Sequence, residues 1–250
     1  MSRKREEGKR EKLKVLDLFS GIGGFSLGLE RTGGFETVAF CEIEPFCRRV
    51  LKKHWPDVPC SEDITRREFT AGEAEIICGG FPCQDISYAG EGTGLAGERS
   101  GLWRELLRAI RLVRPLYAIV ENVAALLNRG MGDVLGDLAE IRYDARWDCI
   151  PAVYLGAGHL RDRAWVVAYP AGDGRELPQL HVESPEASPR RQRTGDGPKI
   201  GRQWESEPDL VRVVHGLPDR MDRVTALGNS ALPQIPEMIG YAILESTESS

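Results

Sequence analysis

The chain has 250 residues, of which 41% are hydrophobic and 28% charged, and its formal net charge is −5. This length and composition indicate one large globular domain with at most a small appendage. No apolar run is long enough to cross a bilayer. The charged segment 1–12 lacks the apolar core of a secretory signal, so a disordered tail is expected there. The six cysteines form no C-x-x-C pair, which predicts reduced thiols in a cytoplasmic protein and no metal site.

Apolar runs alternate with segments of helical periodicity along most of the chain. Strands are predicted at Val15–Phe19, Thr37–Cys41, Glu75–Cys78, Leu116–Val120, Trp147–Leu155 and Ala164–Tyr169. Helices are predicted at Phe25–Arg31, Pro45–His54, Gly101–Val113, Met131–Ile141 and Pro233–Glu245. This alternation predicts an α/β fold with a mostly parallel sheet and helices on both of its faces. Between Pro170 and Arg212 the periodicity is lost, and a small loop-rich region or an insertion is expected.

Residues able to do chemistry follow the ends of four predicted strands. They are the Gly21–Gly24 turn, Glu42, Cys83 and Glu121. Parallel sheets bind ligands at the carboxyl ends of their strands, so these residues are expected to lie together. Cys83 comes just after Gly79–Pro82, where the backbone must leave the sheet. A thiol at such a turn suits a nucleophile, although a small apolar loop residue is the simpler alternative.

The Gly21–Gly24 turn is a candidate cofactor loop. Its glycines allow close approach to a ligand, and the helix that follows offers free N–H groups. Glu42 lies at the distance along the chain where nucleotide-binding folds place a ribose-binding acid. The pattern is not G-x-G-x-x-G, because Phe25 and Ser26 follow Gly21, Gly23 and Gly24 and no third glycine stands at position 26. A nucleoside without a pyrophosphate, such as S-adenosylmethionine, therefore fits better than a nicotinamide cofactor. A tight turn without a ligand is the alternative.

Seven motifs occur in an order that carries a family resemblance. They are Asp17–Phe25, Glu42, Asp63–Ile64, Gly80–Ser87, Glu121–Val123, Arg161–Arg163 and Leu227–Ser230. In this order they resemble the DNA cytosine-5 methyltransferases of the bacterial and phage type. The resemblance implies a Rossmann-like, S-adenosylmethionine-dependent methyltransferase fold. It implies a catalytic domain of residues 13–169 and 225–246, with a short target-recognition region at 170–224. Because that region has few apolar residues, it either orders on DNA, reads a short site or depends on a partner.

The resemblance further implies methyl transfer to C5 of a flipped-out cytosine in double-stranded DNA, through a covalent bond between Cys83 and ring atom C6. Glu121 is expected to stabilise the protonated ring, and burial that raises its pKa would assist. Arg161 and Arg163 are expected to hold the base and the active-site loop. A tRNA cytosine-5 methyltransferase and a non-catalytic DNA-binding relative are the alternatives. A catalytically dead relative has no chemical reason to keep Cys83, Glu121 and Arg163 together.

The same resemblance assigns binding residues. The cofactor is expected at Phe19, Ser20, Gly21, Ile22, Gly23, Gly24, Glu42, Ile43, Asp63, Ile64, Pro82, Leu102, Asn229 and Ser230. DNA is expected to contact Gln84, Ser87, Arg99, Arg190, Arg191 and Arg193. The arginines of the recognition region are expected to act mainly through salt-dependent phosphate binding. The expected species is a monomer that binds double-stranded DNA, and the resemblance allows a cognate restriction endonuclease as a second partner.

Overall fold

A computed structural model describes residues 11–82, 101–155, 161–172 and 226–248. The strands are β1 (Leu13–Leu18), β2 (Phe35–Cys41), β3 (Cys60–Ser61), β4 (Ile76–Gly80), β5 (Tyr117–Val123), β6 (Tyr143–Pro151) and β7 (Asp162–Pro170). The helices are α1 (Gly24–Arg31), α2 (Pro45–His54), α3 (Gly101–Val113), α4 (Leu126–Arg129), α5 (Met131–Glu140) and α6 (Gln234–Glu248). A 3-10 turn at Ala152–Leu155 follows β6, and a single helical turn at 226–229 precedes α6.

The strands form one sheet in the order β3-β2-β1-β4-β5-β7-β6. The five strands from β3 to β5 are mutually parallel. Strand β7 lies antiparallel between β5 and the edge strand β6. The predicted mostly parallel sheet is therefore confirmed. The carboxyl ends of β1, β2, β4 and β5 meet at one edge, where the residues that follow each strand come together.

Two hydrophobic layers cover the sheet because side chains alternate along each strand. In β1, Val15 packs on one face while Leu16 and Leu18 pack on the other. Helices α1 and α6 cover the first face with apolar residues such as Leu29 and Ile239. Helices α3, α4 and α5 cover the second face. Both layers are continuous across the parallel and antiparallel strands, so the β6–β7 hairpin belongs to the same core.

The predicted strand Trp147–Leu155 is wrong at both ends. Strand β6 pairs with β7 from Tyr143 to Pro151, and the chain then turns into the 3-10 segment. The strand ends there because β7 begins at Asp162 and offers no partner further along. Strand β3 and helix α4 were not predicted, since two and four residues are too short to show a period.

Helix α1 packs backbone to backbone against the segment that leads into α6. A Cβ atom at Gly28 would lie 2.2 Å from the carbonyl oxygen of Pro233, and one at Gly24 would lie 2.4 Å from that of Ala231. No side chain fits in either gap. These two glycines therefore allow the C-terminal part of the chain to lie beside the turn that follows β1.

Replacing Gly28 with alanine should force α1 and α6 apart. We expect Gly28→Ala to lower the free energy of unfolding by about 1–3 kcal/mol, the usual cost of overpacking. The matched control is Gly136→Ala in α5, where an added Cβ meets no atom within 4 Å. That variant should be stabilised by up to about 1 kcal/mol, because alanine favours helix more than glycine does. Urea unfolding measures both, and equal stability of the two variants would contradict the close packing.

Candidate active site

A cavity of about 650 Å³ opens at the carboxyl edge of the parallel strands. Many residues expected from the sequence to bind a cofactor or a base line this one space. They are Phe19, Gly21, Glu42, Ile43, Asp63, Ile64, Pro82, Leu102, Glu121, Arg161, Arg163 and Asn229. These residues come from segments far apart in the sequence, so the fold as a whole assembles the cavity, with contributions from strand ends, from α3 and from the turn at 226–229.

The other expected cofactor residues do not line the cavity. Its lining does not include Ser20, Ile22, Gly23, Gly24 or Ser230, all of which the structure describes. The Ser20 hydroxyl donates a hydrogen bond of 2.6 Å to the carbonyl of Asp17, which ties the turn to β1. Gly23 lies under the Trp55 ring, since a Cβ there would be 2.7 Å from Trp55 Cζ3.

The turn after β1 has an unusual backbone. Phe19, Gly21 and Gly23 have φ angles of 54°, 53° and 86°, all in the left-handed region. Glycine adopts this conformation freely, whereas a side chain such as that of Phe19 costs about 1–2 kcal/mol there. Strained residues of this kind concentrate at functional sites. The sequence predicted the glycine turn but carried no signal for the strain at Phe19.

Glu42 braces this turn from the end of β2. Its side chain is buried, and Oε2 accepts a 2.7 Å hydrogen bond from the N–H of Gly21. Oε1 accepts a 2.8 Å bond from the N–H of Glu44. Arg48 donates to the carbonyls of Glu42 and Ile43. The carboxylate is therefore held at the cavity wall by backbone groups on both sides.

The Asp63–Ile64 wall is fastened to α3. Arg108 donates a 2.7 Å hydrogen bond from Nη2 to the carbonyl of Ile64. The N–H and hydroxyl groups of Thr65 donate to Asp63 Oδ1 at 2.9 and 2.7 Å, and these bonds lower the pKa of Asp63. The Asp63 side chain is thus kept ionised at the cavity.

Glu121 is the buried carboxyl group at the opposite end of the cavity. It is 9% exposed, and its Oε1 lies 2.9 Å from Nε of Arg163. The two residues are diagonal neighbours, because Glu121 pairs with Trp165 and Arg163 with Val123 across β5 and β7. Burial raises the pKa of Glu121, while the charges of Arg163 and Arg161 act against this rise. The site thus favours a carboxyl group that can hold a proton.

Gly80 provides the space that the Glu121 carboxyl group occupies. The two residues are partners in the β4–β5 register, and a Cβ at Gly80 would lie 2.8 Å from Glu121 Oε2. From the sequence, Gly80 was interpreted only as part of a turn. The sequence signal for this role is a glycine at the end of one predicted strand and an acid at the end of the next, because the two can become partners in the sheet.

The two arginines of the Arg161–Arg163 motif have different partners. Arg163 pairs with Glu121, whereas Arg161 donates from Nη1 to the carbonyl of Gly228 and from Nη2 to that of Ser230, the latter at 3.0 Å. These carbonyls flank Asn229, which lines the cavity. The sequence did not reveal this contact between distant segments.

A second buried carboxyl group lies beneath the glycine turn. Asp17 of β1 is fully buried, and its Oδ2 accepts hydrogen bonds from the hydroxyl and the N–H of Ser26, at 2.7 and 3.3 Å. Cys78 is its partner in the β1–β4 register. Burial raises the pKa of Asp17 to about 7. Burial and the neighbouring Asp17 both raise the pKa of Cys78. The motif Asp17–Phe25 names this aspartate, but the signal for its burial is that an acid stands inside an apolar strand.

Several expected site residues lie outside the described part of the chain. They are Cys83, Gln84, Ser87, Arg99, Arg190, Arg191 and Arg193. Most of the expected recognition region and of the N-terminal tail also lies outside it. Within the described ranges, no helix is long and apolar enough to span a membrane. The same ranges contain no cluster of three or more histidine, cysteine or acidic side chains suited to a metal ion.

Comparison with known families identifies the chain. The family model for C-5 cytosine-specific DNA methylases matches residues 13–212. The chain belongs to this family. It is 38% identical over 165 residues to the Type II methyltransferase M2.BsuMI of Bacillus subtilis, with 62% of this chain and 42% of that protein covered. It is 33% identical over 162 residues to M.Eco47II of Escherichia coli, with 62% and 39% covered. The alignments thus span less than half the length of either relative.

Solved structures show the same fold. The methyltransferase EhMeth of Entamoeba histolytica superposes with a TM-score of 0.57 at 17% identity, over 70% of this chain and 57% of the other. The Dnmt2 methyltransferase of S. pombe gives a TM-score of 0.55 at 20% identity, over 66% and 53%. The Rossmann-like methyltransferase fold expected from the sequence is confirmed.

The raised pKa of Asp17 predicts how stability changes with pH. The folded protein holds this proton up to about pH 7, whereas the unfolded chain releases it near 3.8. The stabilising contribution is therefore complete below the unfolded pKa and is lost as pH rises through about 7. We expect Asp17→Asn to become more stable relative to wild type as pH increases from 5 to 8.

Chemical denaturation at several pH values measures this trend. The matched control is Asp57→Asn, because Asp57 is exposed and its replacement should leave the pH dependence of unfolding unchanged. A constant difference in stability between Asp17→Asn and wild type across this range would show that Asp17 is not the titrating group.

Proposed function

We propose that this protein transfers a methyl group from S-adenosylmethionine to C5 of a cytosine in double-stranded DNA. The observation that carries the proposal is that two different sites share one cavity. At one end lies the strained glycine turn braced by Glu42, and at the other lies the buried Glu121 with Arg163. A transferase needs such a space, because its two substrates must meet.

The glycine-turn end has the properties that an S-adenosylmethionine site requires. Phe19 and Ile43 line the cavity with apolar surface that a purine ring can cover, and Ile43 is 66% exposed. The carboxylates of Glu42 and Asp63 can accept hydrogen bonds from ribose hydroxyls and an adenine amine. They also disfavour a pyrophosphate and favour a cationic ligand. When bound, S-adenosylmethionine supplies the electrophilic methyl group that C5 of the activated base accepts.

Cys83 is proposed as the nucleophile. It directly follows Pro82, a residue of the cavity wall. The thiolate forms a bond to C6 of the cytosine, and the electrons of the C5–C6 double bond move through the ring toward N3. This makes C5 nucleophilic. Methyl transfer to C5 would break the bond between the methyl carbon and the cofactor sulfur and leave a neutral thioether. Water then removes the C5 proton, the C5–C6 double bond forms again, the Cys83 thiolate leaves, and N3 returns to Glu121 the proton that it received during addition. A base stacked in a duplex cannot reach Cys83, so the cytosine must first be flipped out.

Glu121 is proposed to stabilise the negative charge that develops on the ring. A protonated carboxyl group can donate its proton to N3 as the thiolate adds, and burial favours this protonated form. Arg163 lies against Oε1 and fixes the direction of the carboxyl group. Gly80 leaves the room that this direction requires.

Methyl transfer to DNA tests the proposal directly. The full chain is incubated with methyl-labelled S-adenosylmethionine and unmethylated double-stranded DNA, with tRNA as a separate substrate, and bisulfite sequencing locates the product. We expect label on cytosine C5 of the DNA and none above background with Cys83→Ala. Transfer to tRNA alone would redirect the assignment to RNA. Methylation of DNA by Cys83→Ala would exclude the covalent mechanism.

Gly80→Ala should separate catalysis from cofactor binding. The added methyl group displaces the Glu121 carboxyl group, and a shift of about 1 Å at a reacting group can cost on the order of 100-fold in rate. We expect kcat to fall by about this factor, while the Kd for S-adenosylmethionine changes less than about twofold. Gly132→Ala is the control, since a Cβ there meets no atom within 4 Å. Single-turnover methylation and calorimetry give the two quantities, and an unchanged kcat would contradict this role of Gly80.

A further inference from the structure

Arg161 joins the two ends of the cavity. It precedes β7, whose Arg163 holds Glu121, yet its own guanidinium binds the carbonyls of Gly228 and Ser230. The residue between those carbonyls is Asn229, on the cavity wall. Two arginines of one short segment therefore contact different parts of the cavity. Arg163 contacts Glu121 at the end proposed for the base, and Arg161 contacts the 228–230 segment at the end proposed for the cofactor.

The segment 228–230, which Arg161 contacts, is mostly exposed and belongs to a short turn that makes few stabilising interactions itself. Leu227, Gly228 and Asn229 are exposed, and the helical turn at 226–229 is too short to be stable alone. The carbonyls at the end of such a turn have no partner within the helix. An arginine side chain is a common way to satisfy them. Arg161 supplies charge-assisted hydrogen bonds to two carbonyls at once, and this limits the positions that Asn229 can take.

The surroundings of Arg161 make hydrogen-bond acceptors necessary for its guanidinium. Burial and the positive charge of Arg163 lower the pKa of Arg161, while Glu121 raises it. Two cations and one carboxyl group therefore lie close together, and Arg163 forms the direct ion pair with Glu121. The carbonyls of Gly228 and Ser230 accept hydrogen bonds from the second cation. The positive charge of Arg161 is thus partnered by these carbonyls and not by a direct ion pair with Glu121.

We propose that Arg161 is a positioning residue that holds the Asn229 wall in place for the cofactor. The inference rests on the proposed binding of S-adenosylmethionine in this cavity. In this proposal Arg161 acts even when no DNA is bound. The family resemblance, in contrast, implies that Arg161 helps to hold the base. Arg161 then also connects cofactor binding to the base end, because its backbone leads directly into the strand that carries Arg163.

Cofactor binding without DNA tests this role. Calorimetry of the full chain with S-adenosylmethionine compares wild type with Arg161→Met, Arg161→Lys, Asn229→Ala and the control Arg111→Met. We expect Arg161→Met and Asn229→Ala each to weaken binding by about tenfold, the effect of losing one charge-assisted contact or the wall that it holds. Arg161→Lys should recover part of the affinity. Arg111→Met should bind within about twofold of wild type, because Arg111 is exposed and is not part of the cavity lining.

The double variant Arg161→Met/Asn229→Ala distinguishes positioning from an independent contact. If Arg161 acts through Asn229, either substitution alone already removes the contact of Asn229 with the cofactor. The double variant should then bind no more weakly than the single variant that has the lower affinity. Fully additive losses would overturn the inference, and so would wild-type affinity in Arg161→Met. If Arg161→Met does not unfold cooperatively, Arg161→Lys decides, and unchanged affinity in that variant overturns the inference. Absence of binding by wild type would instead refute the proposed function.

Discussion

The buried Glu121–Arg163 pair depends on how β5 is flanked in the sheet. A carboxylate taken out of water without a partner would cost several kcal/mol, and the antiparallel strand β7 supplies that partner one diagonal step away. The strand order makes this pair possible, because β7 lies directly beside β5 and β6 lies at the edge. On the other side of β5, Gly80 must lack a side chain. Both strands beside β5 therefore accommodate the Glu121 carboxyl group, β7 with the Arg163 side chain and β4 with the space left at Gly80.

The end of the cavity at the glycine turn depends on contact between distant parts of the chain. The turn after β1 is shaped by Glu42 from β2 and by the C-terminal segment that packs on Gly24 and Gly28. A helix that packs so closely cannot shift without moving the turn, because protein interiors transmit small displacements. The residues from 226 onward therefore complete the wall of a pocket that begins at residue 19. Arg161 extends this dependence to the β6–β7 hairpin.

Much of this architecture could be predicted from sequence because it follows from local pattern. Strand periods and the polar residues at strand ends located the cavity edge, and the family motifs named most of its lining. What could not be predicted depends on register and on contacts between distant segments. Gly80 has a role only because it pairs with Glu121, and β6 ends at Pro151 only because β7 begins where it does. The left-handed backbone of Phe19 is likewise imposed by its surroundings.

The charges that line the cavity are not described by the net charge of the chain. The formal net charge is −5, but the lining carries both signs, with the acids Glu42, Glu44, Glu62, Asp63 and Glu121 and the bases Arg49, Arg161 and Arg163. Charged groups that line a cleft set up a local field, which acts on a ligand there more strongly than the sum over the whole protein. Over the few ångströms of a cavity, salt screens such local fields weakly. Local charge at this edge, and not the sum over the chain, therefore sets the electrostatic field inside the cavity.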